Sequence, residues 1–269
     1  MPYKIFDAHT HSYPPAIAER AVASLMDFYK FTFPLDAKGT YEDLREMELR
    51  GGSCGFMMFA AATNPAQVIK ANDYIAKIMH EHSTPEMQIV AAGAMHHDYP
   101  DKLSEVERLI TLGFKGFKIH PDIMQVDIDD PRFMDFYAML EGRMLLYVHV
   151  GDDRYSYSDP QKLVKVARAF PKLTIIGAHL GGYRHWEQFE QNFLGTDIIV
   201  DTSSSLWALD PVIASRIINL HGADKVIFGT DYPVSSVERE IELFMKLDLT
   251  HEQREMILYG NAKRIFGLM

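Results

Sequence analysis

The sequence predicts one α/β domain, a (β/α)8 barrel of the TIM type spanning residues 1–269, on three observations. Short apolar runs recur eight times along the chain. Stretches with helical spacing of apolar residues separate most of them, the alternation that builds a parallel sheet from βαβ units. Several runs end, at their C-terminal side, on a histidine or an aspartate, and that is the end where a closed barrel gathers its chemistry. Neither G-x-G-x-x-G after the first run nor G-x-x-x-x-G-K-[ST] occurs anywhere. The phosphate-cradling turns of open nucleotide-binding sheets are therefore missing.

The first strand is expected over Ile5–His11, where Phe6, Ala8 and Thr10 alternate with Asp7, His9 and His11. Side chains two apart share a face of a strand, which places His9 and His11 together and Asp7 one layer beneath. A long connection over residues 12–38 follows, with a helical stretch near Ile17–Tyr29 and the aromatic turn Phe31-Thr32-Phe33-Pro34. The second strand, Cys54–Ala61, precedes an amphipathic segment at Pro65–His82. The third, Ile89–Met95, leads to a helix over Asp101–Leu112, in which Leu103, Val106, Leu109 and Ile110 recur at helical spacing. Gly113–His120 is the fourth strand. Met144–Val150 is the fifth, between helices expected at Pro131–Glu141 and Pro160–Phe170. Leu173–Leu180, Ile198–Thr202 and Val226–Asp231 complete the eight, with helices at Arg184–Phe193, Pro211–His221 and Val237–Leu247. The closing segment Gly260–Phe266 is expected to pack on the outside of the barrel.

The apolar and charged fractions, 47% and 24%, are those of an ordinary globular protein. With 37 acidic and 27 basic residues the formal charge is -10, which argues against nucleic acid or an anionic membrane as partner. The single cysteine, Cys54, excludes an internal disulfide framework and fits a reducing compartment. The chain enters its first strand without a signal-like segment, and no apolar run approaches the ~20 residues of a membrane span. A cytoplasmic protein acting on a small molecule is expected, with homo-oligomerisation left open.

The strand ends carry the chemistry. His9 and His11 end the first, Lys118 and His120 the fourth, His149 the fifth, His179 the sixth and Asp231 the eighth. Neutral imidazoles with a carboxylate suit a borderline divalent ion such as Zn²⁺, with one position kept open for water. Such an ion lowers the pKa of its water to about 7, and Asp231 is placed both to touch the ion and to accept that proton. Blander roles compete. His120 precedes a proline and would serve equally as a backbone hydrogen-bond partner. His96 and His97 read as rim residues, and Asp7 as a buried carboxylate that orients a ligand histidine.

The chain resembles the amidohydrolase superfamily, in particular the amidohydrolase-2 branch with its aminocarboxymuconate-semialdehyde and resorcylate-type decarboxylases. The resemblance runs through Asp7-Ala8-His9-Thr10-His11, Gly116-Phe117-Lys118-Ile119-His120-Pro121, His149, Gly177-Ala178-His179-Leu180-Gly181-Gly182, Gly229-Thr230-Asp231-Tyr232-Pro233 and Gly260-Asn261-Ala262-Lys263-Arg264-Ile265-Phe266. It implies one divalent ion, Zn²⁺ before Mn²⁺ or another, held by His9, His11, His149 and Asp231. His179 then stands beside the open position as acid, base or substrate contact. Gly177, two residues earlier, is expected to face the interior and leave room below that imidazole. A second ion bridged by a carbamylated Lys118 is the less favoured arrangement.

Lys118, His120, Arg154, Arg184 and Trp207 are the substrate-contact candidates, the arginines because a guanidinium clamps a carboxylate with two parallel donors. The leading expectation is a hydrolase, in which metal-bound hydroxide attacks a C–N or C–O bond of a small, carboxylate-bearing molecule and Asp231 shuttles the proton. The alternative is non-oxidative decarboxylation of an aromatic or unsaturated acid by the same ligands. A related-barrel nuclease is disfavoured by the acidic chain. A catalytically silent ligand-binding barrel would call for a lost ligand, and all four are present.

Overall fold

The computed structural model describes residues 3–35 and 37–269. Eight parallel strands follow one another in sequence order around the barrel: β1 (Asp7–His11), β2 (Gly55–Phe59), β3 (Gln88–Ala94), β4 (Gly116–Ile119), β5 (Leu145–Val148), β6 (Thr174–Gly177), β7 (Ile199–Asp201) and β8 (Val226–Ile227). The ring closes between β8 and β1 through backbone hydrogen bonds from Ala8 to Phe228, Asp231 to His9 and His11 to Tyr232, at 2.8–2.9 Å. Every strand but β3 is shorter than the apolar run that predicts it. His149, His179 and Asp231 accordingly lie just beyond the last paired residue, where the backbone is free to turn.

The helices are α1 (Pro15–Tyr29), α2 (Tyr41–Gly51), α3 (Val68–His82), α4 (Lys102–Thr111), the short α5 (Pro121–Met124), α6 (Pro131–Leu140), α7 (Pro160–Ala169), α8 (Phe189–Phe193), α9 (Pro211–His221), α10 (Val237–Phe244), α11 (His251–Glu255) and α12 (Asn261–Phe266). Among the described residues, none is long and apolar enough to cross a membrane. Helices α6, α7 and α9 begin with Asp-Pro. The aspartate (Asp130, Asp159, Asp210) accepts a backbone N–H of the first turn, and proline takes the first helical position, where its missing N–H costs nothing. The helix expected over 184–193 is instead a 3₁₀ turn, Trp186–Gln188, followed by α8. Arg184 is left-handed, with φ 62°, so the helix cannot start there.

The barrel interior is filled by alternate strand residues. Met57 and Phe59, Val90 and Ala92, Leu145 and Tyr147, and Ile176 and Ala178 form one buried cluster with Phe6, Ala8, Ile199 and Ile227. Ala262, Phe266 and Leu268 belong to the same cluster, and Phe6 bonds back to the carbonyl of Leu258. The C-terminal segment therefore plugs the bottom of the barrel, not its outside as the sequence suggested, because the N-terminal strand ends leave an apolar opening that this folded-back segment covers.

Behind β1 and β8 lie three buried acids, Asp7, Glu48 and Glu240. Burial pushes Glu240 up to about 8, and both its carboxyl oxygens lack hydrogen-bond partners. A carboxyl raised on folding contributes stability that is complete below its unfolded pKa, near 4.5, and is lost as pH rises through about 8. Glu240→Gln should flatten the fall in stability across that window by up to about 1.4 kcal/mol per pH unit. Urea melts from pH 5 to pH 8.5 read this directly. An unchanged slope would mean that Glu240 titrates normally.

Candidate metal centre

A cavity of about 80 Å³ opens at the C-terminal end of the barrel, lined on one side by His9, His11, Lys118, His120, His149, His179 and Asp231. Two of these arrive by departures from strand periodicity. In β1 the register slips between Asp7 and Thr10. Phe6 and Ala8 thus face the interior, and so does His9, whose ring packs on Phe59 and Tyr147 at 5.0 and 5.3 Å. Such a bulge re-aims the side chains beyond it. Gly229 makes the approach possible, since a Cβ there would stand 2.8 Å from that of His9. On β6 the inward residues are Ile176 and Ala178. Gly177 faces the helical layer, where a Cβ would meet Leu163 at 3.1 Å, and it leaves no room beneath His179. His179 reaches the cavity because its backbone turns left-handed, with φ 61°.

Asp7 does not orient a ligand ring. It accepts the backbone N–H of His9 and of Thr230, each at 3.0 Å, and so ties β1 to β8. The orienting carboxylate is Asp201, at the end of β7. Its Oδ2 accepts from His9 Nδ1 at 2.8 Å and from the Tyr147 hydroxyl. Its Oδ1 accepts from the His179 amide (3.0 Å), the Ser203 amide (2.9 Å) and the Ser203 hydroxyl (2.6 Å). Burial alone would raise this carboxyl, but the imidazoles of His9 and His179 and the Lys118 ammonium hold it well below the usual range.

These contacts fix which ring nitrogens remain free. His9 donates from Nδ1, which leaves the Nε2 lone pair 3.2 Å from Asp231 Oδ1. His179 Nδ1 faces the Ser203 carbonyl at 3.0 Å and must donate, leaving Nε2 bare. His149 Nε2 faces the Gly151 carbonyl at 3.0 Å, leaving Nδ1 bare. His149 Nδ1 and His179 Nε2 then stand lone pair to lone pair at 2.9 Å. His11 Nε2 lies 3.7 Å from the same Asp231 oxygen, and its Nδ1 is buried without a partner. Ligand atoms of His9, His179 and Asp231 lie within 4.8 Å of one another. A ring of lone pairs held apart by outer hydrogen bonds fits a divalent cation.

A second group, His120, Asp122 and His149, is equally compact, but its geometry suits no ion. The two rings stack face to face at 3.9 Å and 11°, and lone pairs that lie in parallel ring planes do not converge. His96, His97 and Asp98 cluster away from the cavity, with Asp98 paired to Arg132 at 2.9 Å.

Lys118 Nζ lies 3.2 Å from His9 Nε2 and above the Phe59 and Tyr147 rings. Burial lowers it to about 8, against the pull of Asp201 and Asp231. Burial also lowers His179, to about 4, against the same two carboxylates. Of the loop residues, Arg154, Arg184 and Trp207 are absent from the cavity lining. Arg154 is occupied by both oxygens of Asp152 and by the Phe28 carbonyl. Its guanidinium lies on the rings of Phe28, Tyr29 and Tyr155, so it pins the end of α1 over the mouth. Arg184 and Trp207 pack on each other.

Sequence reasoning missed Asp201 and Tyr29. An acid ending the apolar run Ile198-Ile199-Val200 was a usable signal for the first, of the kind read at Asp231. Tyr29 gave none, since it sits on a helix outside the β/α repeat, and its hydroxyl nonetheless lies 2.6 Å from His120 Nε2 and 3.5 Å from either nitrogen of His149.

Barrel and donor set together define a (β/α)8 enzyme scaffold with a metal-type His/Asp rim. The chain belongs to the amidohydrolase family, whose model matches residues 6–268. A curated relative, the decarboxylase orsB of Emericella nidulans, is 29% identical over 116 residues, 35% of this chain and 34% of the relative. The match thus spans about a third of that protein's length. The 5-carboxyvanillate decarboxylase of Sphingomonas paucimobilis superposes with TM-score 0.72 at 17% identity, covering 99% of each chain. That of Novosphingobium aromaticivorans, solved with manganese and 4-hydroxy-3-methoxy-5-nitrobenzoic acid, gives 0.76 at 16% identity over 99% of this chain and 97% of its own.

Proposed function

We propose that this chain is a metal-dependent, non-oxidative decarboxylase of an aromatic or unsaturated carboxylic acid, the alternative and not the leading expectation from sequence. One observation carries the proposal: besides its polar rim the cavity is lined by Leu25, Ala60, Ala61, Ala62, Ile123 and Met124 with the Tyr13 and Tyr29 rings, apolar apart from Thr63. Losing carbon dioxide turns a charged carboxylate into a neutral molecule, which a desolvating apolar wall favours. The decarboxylase activity named for the curated relative supports the same choice.

His9, His11, His149 and Asp231 would hold one divalent ion, with zinc suited to the imidazoles and manganese found in the Novosphingobium relative. The ion, when bound, would supply a positive charge that fixes oxygens of the acid. In the reaction the bond from ring carbon to carboxyl carbon breaks, its electron pair stays on the ring carbon, and a proton replaces the carboxylate there. His179 would relay that proton: its Nδ1 is committed to the Ser203 carbonyl, so the bare Nε2 takes a proton from water and passes it to the ring carbon. The hydroxide left by the water combines with the released carbon dioxide as bicarbonate, and the imidazole returns to its neutral form.

His179→Ala should keep its metal and lose about a hundredfold or more in kcat. Turnover of 2,6-dihydroxybenzoate and 5-carboxyvanillate, followed by carbon dioxide release and by deuterium uptake at the ring in heavy water, tests the reaction. Metal lost together with His179 would make that residue a ligand. Opening of lactones or amides with no carbon dioxide from any acid would return the assignment to hydrolysis.

A further inference from the structure

The lid side of the cavity is closed by Tyr29, the last residue of α1, whose hydroxyl meets His120 Nε2 at 2.6 Å. His120 is also the residue that caps α5. Its Nδ1 accepts the backbone N–H of Ile123 at 3.4 Å. An imidazole that accepts at Nδ1 carries its proton on Nε2, so His120 donates to the Tyr29 oxygen. The Tyr29 hydroxyl proton is then not used by His120, and the bare Nδ1 of His149 stands at a long 3.5 Å, so a closer acceptor in the cavity can take it. The metal-facing side of the cavity presents bare lone pairs from His9, His149 and His179, whereas Tyr29 presents a hydrogen-bond donor on the lid.

We propose that Tyr29, oriented by His120, is a specificity-determining donor that recognises an oxygen substituent on the substrate's ring. This rests on the decarboxylase assignment above. A ring hydroxyl, phenolate or ether oxygen is the acceptor, and the departing carboxylate is not. A fixed donor on the carboxylate would hold the charge that the reaction has to remove, whereas a donor on a ring oxygen positions the substrate without that penalty. Arg154 supports the arrangement from outside, since its guanidinium covers the Phe28 and Tyr29 rings and binds the Phe28 carbonyl. His120 acts through Tyr29 and is a positioning residue.

Three measurements test the proposal. Nitrogen-15 spectra of the histidines in zinc-loaded protein should show His120 with a bare Nδ1 and a protonated Nε2. Calorimetry on manganese-loaded protein should show Tyr29→Phe weakening 2,6-dihydroxybenzoate about tenfold while changing benzoate less than twofold. In turnover, KM should rise with kcat nearly unchanged. A protonated Nδ1 on His120, an equal loss for both acids, or no loss for either would overturn the proposal, and the decarboxylase assignment would survive. Failure of the wild-type protein to bind either acid would instead overturn that assignment, and this one with it.

Discussion

Asp231→Asn is expected to leave a folded barrel whose turnover has fallen about a thousandfold or more. The side chain is partly open to the cavity, so no packed layer depends on it. Its backbone is left-handed, with φ 63°, a conformation that asparagine tolerates as well as aspartate. The amide can still accept from the Ser204 hydroxyl, now 2.7 Å from Oδ2. The negative charge is what is lost. One oxygen faces the Nε2 atoms of both His9 and His11, at 3.2 and 3.7 Å. Those imidazoles hold Asp231 well below the usual carboxylate range in spite of burial, so it stays ionised throughout the neutral range. A melting temperature within a few degrees of wild type, with turnover gone, is the expected pair of results. Wild-type turnover in this variant would show that the charge on residue 231 has no part in the reaction.

The rim residues that could be read from the sequence are those that keep strand periodicity. His149 continues Leu145 and Tyr147, and Asp231 continues Ile227 and Gly229, so an inward-facing core residue predicts an inward-facing cavity residue. His9 and His179 break that rule. The bulge in β1 places Phe6, Ala8 and His9 all inside, although their spacing alternates, and the left-handed turn after Ala178 swings His179 inward from the wrong parity. The motif stretches named two residues that do reach the cavity, but alternation alone gave Asp7 and Gly177 places that they do not occupy. Arg154 shows a different limit. A guanidinium two residues after Asp152 has an intramolecular partner before any substrate arrives, and whether Asp152 or a ligand takes it depends on a loop conformation that spacing does not specify. Tyr29 depends on where α1 docks, a tertiary fact absent from local pattern.

Asp201→Asn is expected to cost both metal affinity, by about 10–100-fold, and stability, by about 2–4 kcal/mol. Five donors converge on this one buried carboxylate, and an amide cannot serve them all. With its oxygen toward Ser203 and the His179 amide, the new NH2 group meets two further donors, His9 Nδ1–H and the Tyr147 hydroxyl. His9 would escape the clash by moving its proton to Nε2, and that atom is the one facing Asp231 and the cavity. The ligand lone pair would then be lost although the histidine remains. With the amide turned the other way, the His179 and Ser203 amides lose their acceptor, and the left-handed turn that aims His179 is released. Chelator competition should report weaker metal binding, and melts of metal-free protein should report the stability loss separately. In contrast to Asp231→Asn, this variant should be destabilised even without metal. Unchanged affinity and an unchanged metal-free melting temperature would show that Asp201 neither sets the His9 tautomer nor holds the β6 turn.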